Sequence, residues 1–203
     1  TADLQELLVT NEYHDACIYG HALEGNFHFI ISQSFDSPEQ VARYEKLMDE
    51  VKTLVVDKYD GSLKAEHGTG RNMAPFVKYE WGERAYGFMK AVKELFDPKG
   101  LLNPGVIFNE DPHCHLKHFK PMPLTNAHVD KCIECGFCEV NCLTCGFSLS
   151  SRQRIVIQRE ISRLKKLSDT ESSERLKTLQ KQYKYLGNAT CAGDGLCSMS
   201  CPM

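Results

Sequence analysis

The run Cys132-Ile-Glu-Cys135-Gly-Phe-Cys138-Glu-Val-Asn-Cys142 spaces four cysteines by two, two and three residues. That spacing lets one short loop turn three thiolates onto an iron–sulfur cluster, while the fourth reaches toward a second cluster. Near the end of the chain, Cys191-Ala-Gly-Asp194-Gly-Leu-Cys197-Ser-Met-Ser-Cys201-Pro202 repeats this frame, with Asp194 where the second cysteine should stand. The competing reading is structural zinc, because Cys-x2-Cys pairs also make zinc sites. Zinc takes four ligands per ion, usually as two separated pairs. A closely following third and fourth cysteine and a distant Cys-Pro suit two cubanes better. The crossing rule gives Cys132, Cys135, Cys138 and Cys201 to a first 4Fe-4S cluster. Cys191, Cys197 and Cys142 fall to the second. Asp194 is there a weak oxygen ligand or none, so the second cluster, 4Fe-4S when complete, can lose its fourth iron and persist as 3Fe-4S. Cys145 reads as a buried free thiol or a replacement ligand, and Cys17 and Cys114 as structural.

A second set of chemical residues lies in the first half. Residues 16–21 and 27–33 read as strands joined by the loop Leu23-Glu24-Gly25-Asn26. Such a loop sets His21 opposite His28, with Cβ atoms about 4.5–5.5 Å apart. Two imidazoles at that distance can share a metal ion. With Glu66 they make three ligands of the type that zinc and similar divalent ions accept. His67, beside Glu66, is a candidate base. Gly68 and Gly70 let backbone approach a ligand closely. Periodicity alone favours the plainer alternative, in which paired strand histidines are satisfied polar residues.

Helices must position these groups. Ser37-Pro38-Glu39-Gln40 is a capping box with proline in the first turn. It starts a helix carrying Val41, Tyr44, Met48, Val51 and Val55 to about Lys58, packed on the hairpin. A second helix is expected over 79–96, with Ala85, Phe88, Met89, Val92 and Phe96 on its core face, and Asp97-Pro98 as its stop. Residues 109–126 read as a linker, and His113, Cys114, His115 and His118 as its polar residues. Ser150-Ser-Arg-Gln153 caps a helix bearing Ile157, Ile161 and Leu164. Ser168-Asp-Thr-Glu171 opens another that ends at Gly187-Asn188. No internal repeat is evident along the chain as a whole.

Composition excludes several classes. The 203 residues are 42% hydrophobic and 25% charged, as in globular chains. A net charge of -3 gives no electrostatic reason to expect nucleic acid. No apolar run approaches the roughly 18 residues of a membrane span. Ten cysteines, mostly in metal-ligand spacings, favour a reducing cytoplasm and metal ligation over disulfides.

Three segments in order carry a resemblance: Gly20-His21-Ala-Leu-Glu-Gly25-Asn26-Phe-His28, Lys64-Ala-Glu66-His67-Gly68-Thr-Gly70 and Phe96-Asp-Pro-Lys-Gly-Leu-Leu-Asn103-Pro-Gly105. Together they resemble the C-terminal part of the FAD-linked D-2-hydroxyacid dehydrogenases, the D-lactate, glycolate and D-2-hydroxyglutarate enzymes. The cysteine-rich remainder is similar to an α-helical ferredoxin domain. The resemblance implies that His21, His28 and Glu66 hold a divalent metal, usually zinc. It implies that His67 takes the substrate hydroxyl proton and that Asn26 and Asn103 lie near flavin or substrate. The implied partners are a small 2-hydroxy acid and an electron acceptor, a quinone or redox protein, at the inner face of the membrane. The fold expected is α+β over 1–108, a partial ferredoxin-like cap, then an all-α iron–sulfur domain over 127–203. No phosphate-cradling glycine run precedes residue 20 and the chain starts at Thr1, so it reads as a C-terminal fragment, inactive alone, with FAD held mostly elsewhere. The alternatives are a non-catalytic electron-transfer subunit and a structural zinc protein.

Overall fold

The computed structural model describes all 203 residues, and they divide into two compact units, Thr1–Pro121 and Met122–Met203. In the first unit, α1 (Ala2–Thr10) leads into the hairpin β1 (Cys17–His21) and β2 (Asn26–Ile30). The hairpin is followed by α2 (Pro38–Thr53), whose last turn widens over Leu54–Lys58, and by α3 (Ala74–Phe96). Ser37 and Gln40 form both bonds of the expected capping box. Tyr44, Leu47, Met48 and Val51 are the buried stripe of α2. Leu47 and Val51 pack with Leu8 of α1, Tyr13 and the strand residues Ile18 and Phe29. Tyr44 and Met48 pack with Met73 and Phe76, closing the other side. One face of the hairpin is thereby spent on the core and the other is left for chemistry.

The hairpin register differs from the expected one. His21 pairs with Asn26, and Tyr19 pairs with His28. The four-residue turn is Ala22–Gly25, with Gly25 at φ 68°, and the Asn26 side-chain oxygen accepts the His21 N–H at 3.1 Å. The slip is two residues, so side-chain parity is kept. His21 and His28 still share a face, as diagonal rather than direct partners.

Helix α3 starts five residues earlier than expected and bends at Gly82, whose φ of 72° and ψ of 166° are not helical. Before the bend, Ala74, Phe76 and Val77 are buried. After it, the expected core face is open: Phe88 is 72% and Phe96 79% exposed. The bend carries that stripe off the unit's core. Residues 109–121, expected as linker, fold onto the first unit. His115 is buried against Phe76, and Phe119 stacks on Phe35 at 4.0 Å.

The second unit contains helices and loops without strands: α4 (Ser151–Leu164), α5 (Thr170–Tyr183) and short 3-10 turns at Val129–Lys131, Phe137–Asn141 and Leu196–Ser200. The Ser150–Gln153 capping box forms on both sides. Asp169 caps α5, its side chain accepting the Ser172 N–H. The unit does contain an internal repeat, at a spacing of 59 residues. Glu134 and Gly193 are both left-handed (φ 59° and 66°), as are Gly136 and Gly195 (φ 86° and 72°). Gly136 and Gly195 each open a 3-10 turn, and the two turns pack together, with Asn141 Nδ2 donating to Ser200 Oγ at 2.5 Å. Asn141 and Ser200 are themselves equivalent positions. Two loops whose sequences share little beyond Cys and Gly thus make the same backbone turns and pack together.

Candidate metal and redox centres

In the first unit, three imidazoles meet at one carboxylate oxygen. His28 Nε2 lies 2.5 Å, His67 Nε2 3.3 Å and His21 Nε2 3.4 Å from Glu66 Oε1. The ligand atoms of His21, His28 and Glu66 all lie within 4.8 Å of one another, a spacing that suits a shared divalent ion. Tyr19, opposite His28 in the register, stacks on its ring at 5.1 Å with planes 10° apart. Sequence reasoning missed Tyr19. Its place on the histidine face was available from strand parity.

The loop that brings Glu66 here is tied at both ends. Glu80 of α3 accepts Ser62 Oγ–H at 2.7 Å and the Leu63 N–H at 3.2 Å. Downstream, Arg71 donates to Pro104 O at 3.1 Å and Ile107 N–H to Gly70 O at 3.4 Å. These two bonds join the Gly68–Arg71 loop to the turn containing Asn103. All three sequence segments are thus linked within one unit. Burial raises the Glu66 carboxyl's pKa. The His28 bond and the fields of His21, His28 and His67 outweigh that and hold it below its ordinary value.

The Asn103 turn is built on Asp97. Its carboxylate accepts Lys93 Nζ at 2.6 Å and the N–H groups of Leu101 and Leu102 at 2.9 and 2.8 Å. The Lys93 bond first, then the two backbone bonds, hold the Asp97 pKa at about 2. Asn103 itself adopts φ 45°, a conformation asparagine tolerates better than most residues.

In the second unit all the cysteines are free thiols. Cys132 Sγ accepts the Glu134 N–H at 3.3 Å. Burial raises the Cys197 pKa, and the nearby Cys138, Cys142 and Asp194 charges raise it further, so the two loops' thiols share one electrostatic neighbourhood. Burial likewise raises Cys142. Bonds from the Thr144 hydroxyl and N–H, the Ser151 N–H and the Arg154 guanidinium outweigh it and bring it below its ordinary value. Asp194 turns one carboxylate oxygen to its own loop, accepting the Leu196 N–H at 2.9 Å. A donor set of seven thiols and one carboxylate on paired loops suits clusters better than isolated zinc. Arg159, 4% exposed, pairs with Glu134, 5% exposed, at 2.6 Å and donates to Cys132 O at 2.8 Å. The sequence offered no sign of this clamp, because Arg159 reads as one of many basic residues on α4.

A family model described as FAD linked oxidases, C-terminal domain, matches residues 1–107. Among curated proteins, the chain is 32% identical over 95 residues to glycolate oxidase subunit GlcD of Bacillus subtilis, covering 47% of the chain and 20% of that protein. It is 36% identical over 107 residues to D-2-hydroxyglutarate dehydrogenase of Stutzerimonas stutzeri, covering 51% and 23%. It is 33% identical over 96 residues to mitochondrial D-lactate dehydrogenase (cytochrome) 1 of Saccharomyces cerevisiae, covering 47% and 16%. The chain therefore spans less than a quarter of the length of each of these relatives. No solved structure matches it. With more than half of its residues matched by that one family model, this protein belongs to the FAD linked oxidases and carries their C-terminal domain.

Proposed function

We propose that this chain supplies the substrate site and the electron exit of an FAD-dependent D-2-hydroxyacid dehydrogenase, of the D-lactate or glycolate class. The observation that carries the reading is the convergence of His21, His28 and His67 on Glu66 Oε1 within an FAD linked oxidase domain. The names of the relatives support the substrate class. Bound together, a divalent ion would orient a 2-hydroxy acid and acidify its hydroxyl, FAD would accept the hydride, and iron–sulfur clusters would carry electrons onward. His21, His28 and Glu66 would hold the ion. His67, 66% exposed, keeps its imidazole at the open side of the group and takes the proton from the substrate hydroxyl. Tyr19 keeps the His28 ring in plane. Cys132, Cys135, Cys138 and Cys201 hold one 4Fe-4S cluster. Cys142, Cys191 and Cys197 would hold the other, which, with Asp194 bonded to its own loop, could lose its fourth iron and persist as 3Fe-4S. Asn26 and Asn103 line the flavin side, and the acceptor is a quinone or redox protein.

The test is the full-length protein purified anaerobically. Expected contents are a divalent ion lost in Glu66→Gln, and roughly seven or eight irons with matching sulfide. His67→Ala should keep these contents while slowing flavin reduction by D-lactate or glycolate by about 10²–10⁴-fold. Unchanged flavin reduction in His67→Ala would overturn the catalytic reading, and zinc without iron or sulfide would overturn the electron exit.

A further inference from the structure

Arg154, on the first turns of α4, sits beside the cysteine that closes the first loop. Its Nη1 lies 3.8 Å from Cys142 Sγ. Its other bonds go to neutral oxygens: Nε to Gly187 O at 2.6 Å, and Nη2 to Thr144 Oγ1 at 3.0 Å and Thr190 Oγ1 at 3.2 Å. No carboxylate offsets its charge. These contacts fix the guanidinium from two segments of the unit, residues 142–144 and 187–190, with one N–H aimed at sulfur. The repeat makes the arrangement one-sided. Cys201 is the equivalent of Cys142, and its Sγ meets only the Met203 carbonyl, at 3.7 Å.

We propose that Arg154 is a positioning residue that raises the reduction potential of the cluster ligated by Cys142 above the value its ligands alone would give. The inference rests on the iron–sulfur reading in the preceding subsection. One-electron reduction adds one negative charge to a cluster and its thiolates and needs no proton. A fixed cation donating a hydrogen bond to one of those sulfurs stabilises the reduced form more than the oxidised form. The clamp at Arg159 cannot do the same for the other loop, because its charge is paired with Glu134.

The experiment is an EPR-monitored redox titration of the full chain, loaded with iron and sulfide anaerobically, as wild type, Arg154→Gln and Arg154→Lys. In Arg154→Gln one potential should fall while the other stays. Arg154→Lys, which keeps the charge but not the fork, should fall less. Unmoved potentials in both variants, equal shifts of both clusters, or loss of the Cys142 cluster from both variants would each overturn the proposal, the last by making Arg154 structural. Wild type without iron or sulfide would instead overturn the iron–sulfur reading itself.

Discussion

Glu66 is the residue on which the first site turns. Its Oε1 lies within 3.4 Å of all three imidazoles, so its removal should cost more metal than removal of either strand histidine. Tyr19→Ala tests the support around it: metal content should fall while the fold persists, measured by metal analysis beside circular dichroism. Asp97 offers a pH test. Its folded pKa of about 2 lies below the ordinary value of 3.8. A depressed carboxyl stabilises the fold above its unfolded pKa, and that contribution is lost as pH falls through the folded one. The gap in urea midpoint between wild type and Asp97→Asn should therefore be open at neutral pH and close as the pH approaches about 2. A gap unchanged across that range would show that Asp97 acts otherwise than through its charge.

Among the elements, the hairpin and the paired cysteine loops make the sharpest demands on backbone. A Cβ at Gly20 would lie 2.1 Å from the Asn26 carbonyl oxygen. Gly20→Ala should thus part the strands, costing about 1–3 kcal/mol by overpacking, and lower the content of the divalent ion proposed for the histidines. Loss of ion without loss of stability, followed by thermal unfolding, would contradict this. In the cysteine loops, Gly136 is left-handed and its Cβ would stand 3.2 Å from Glu139 Oε2. Gly136→Ala should cost about 1–2 kcal/mol for the left-handed conformation alone. Glu134 occupies the same kind of position where the repeat has Gly193. The buried pair with Arg159 accounts for its presence. Arg159→Leu should destabilise the second unit by about 3–5 kcal/mol, because it removes one partner of a buried charge pair. A smaller loss would mean that water reaches Glu134 when the guanidinium is gone.

For the whole molecule, the division after Pro121 puts the histidine–glutamate group and the cysteine loops in different units. Limited proteolysis near that boundary should yield two fragments. The first should keep the divalent ion and the second the iron and sulfide, as metal analysis after separation would reveal. No helix is long and apolar enough to cross a membrane. The open stripe of α3 beyond Gly82 is the largest departure from expectation, since Phe88, Leu95 and Phe96 face outward within this chain.

The local sequence determined what depends on neighbours along the chain. Both capping boxes formed as read, because each needs only a hydroxyl and an amide three residues apart. That His21 and His28 share one face of the hairpin was likewise legible from a period of two. Tertiary structure decided the rest. The register followed from a side-chain bond between Asn26 and His21, which a loop count does not contain. The burial of α3 followed from a bend at Gly82 that periodicity passes over, since an apolar stripe says that cover is favourable but not where cover lies. The repeated cysteine frame was on the page, but the matching backbone was not, because Glu134 takes the left-handed place that Gly193 fills in the other loop. Only the folded chain could bring Arg154 to Cys142, because that contact depends on how α4 packs against a loop and on no spacing in the sequence.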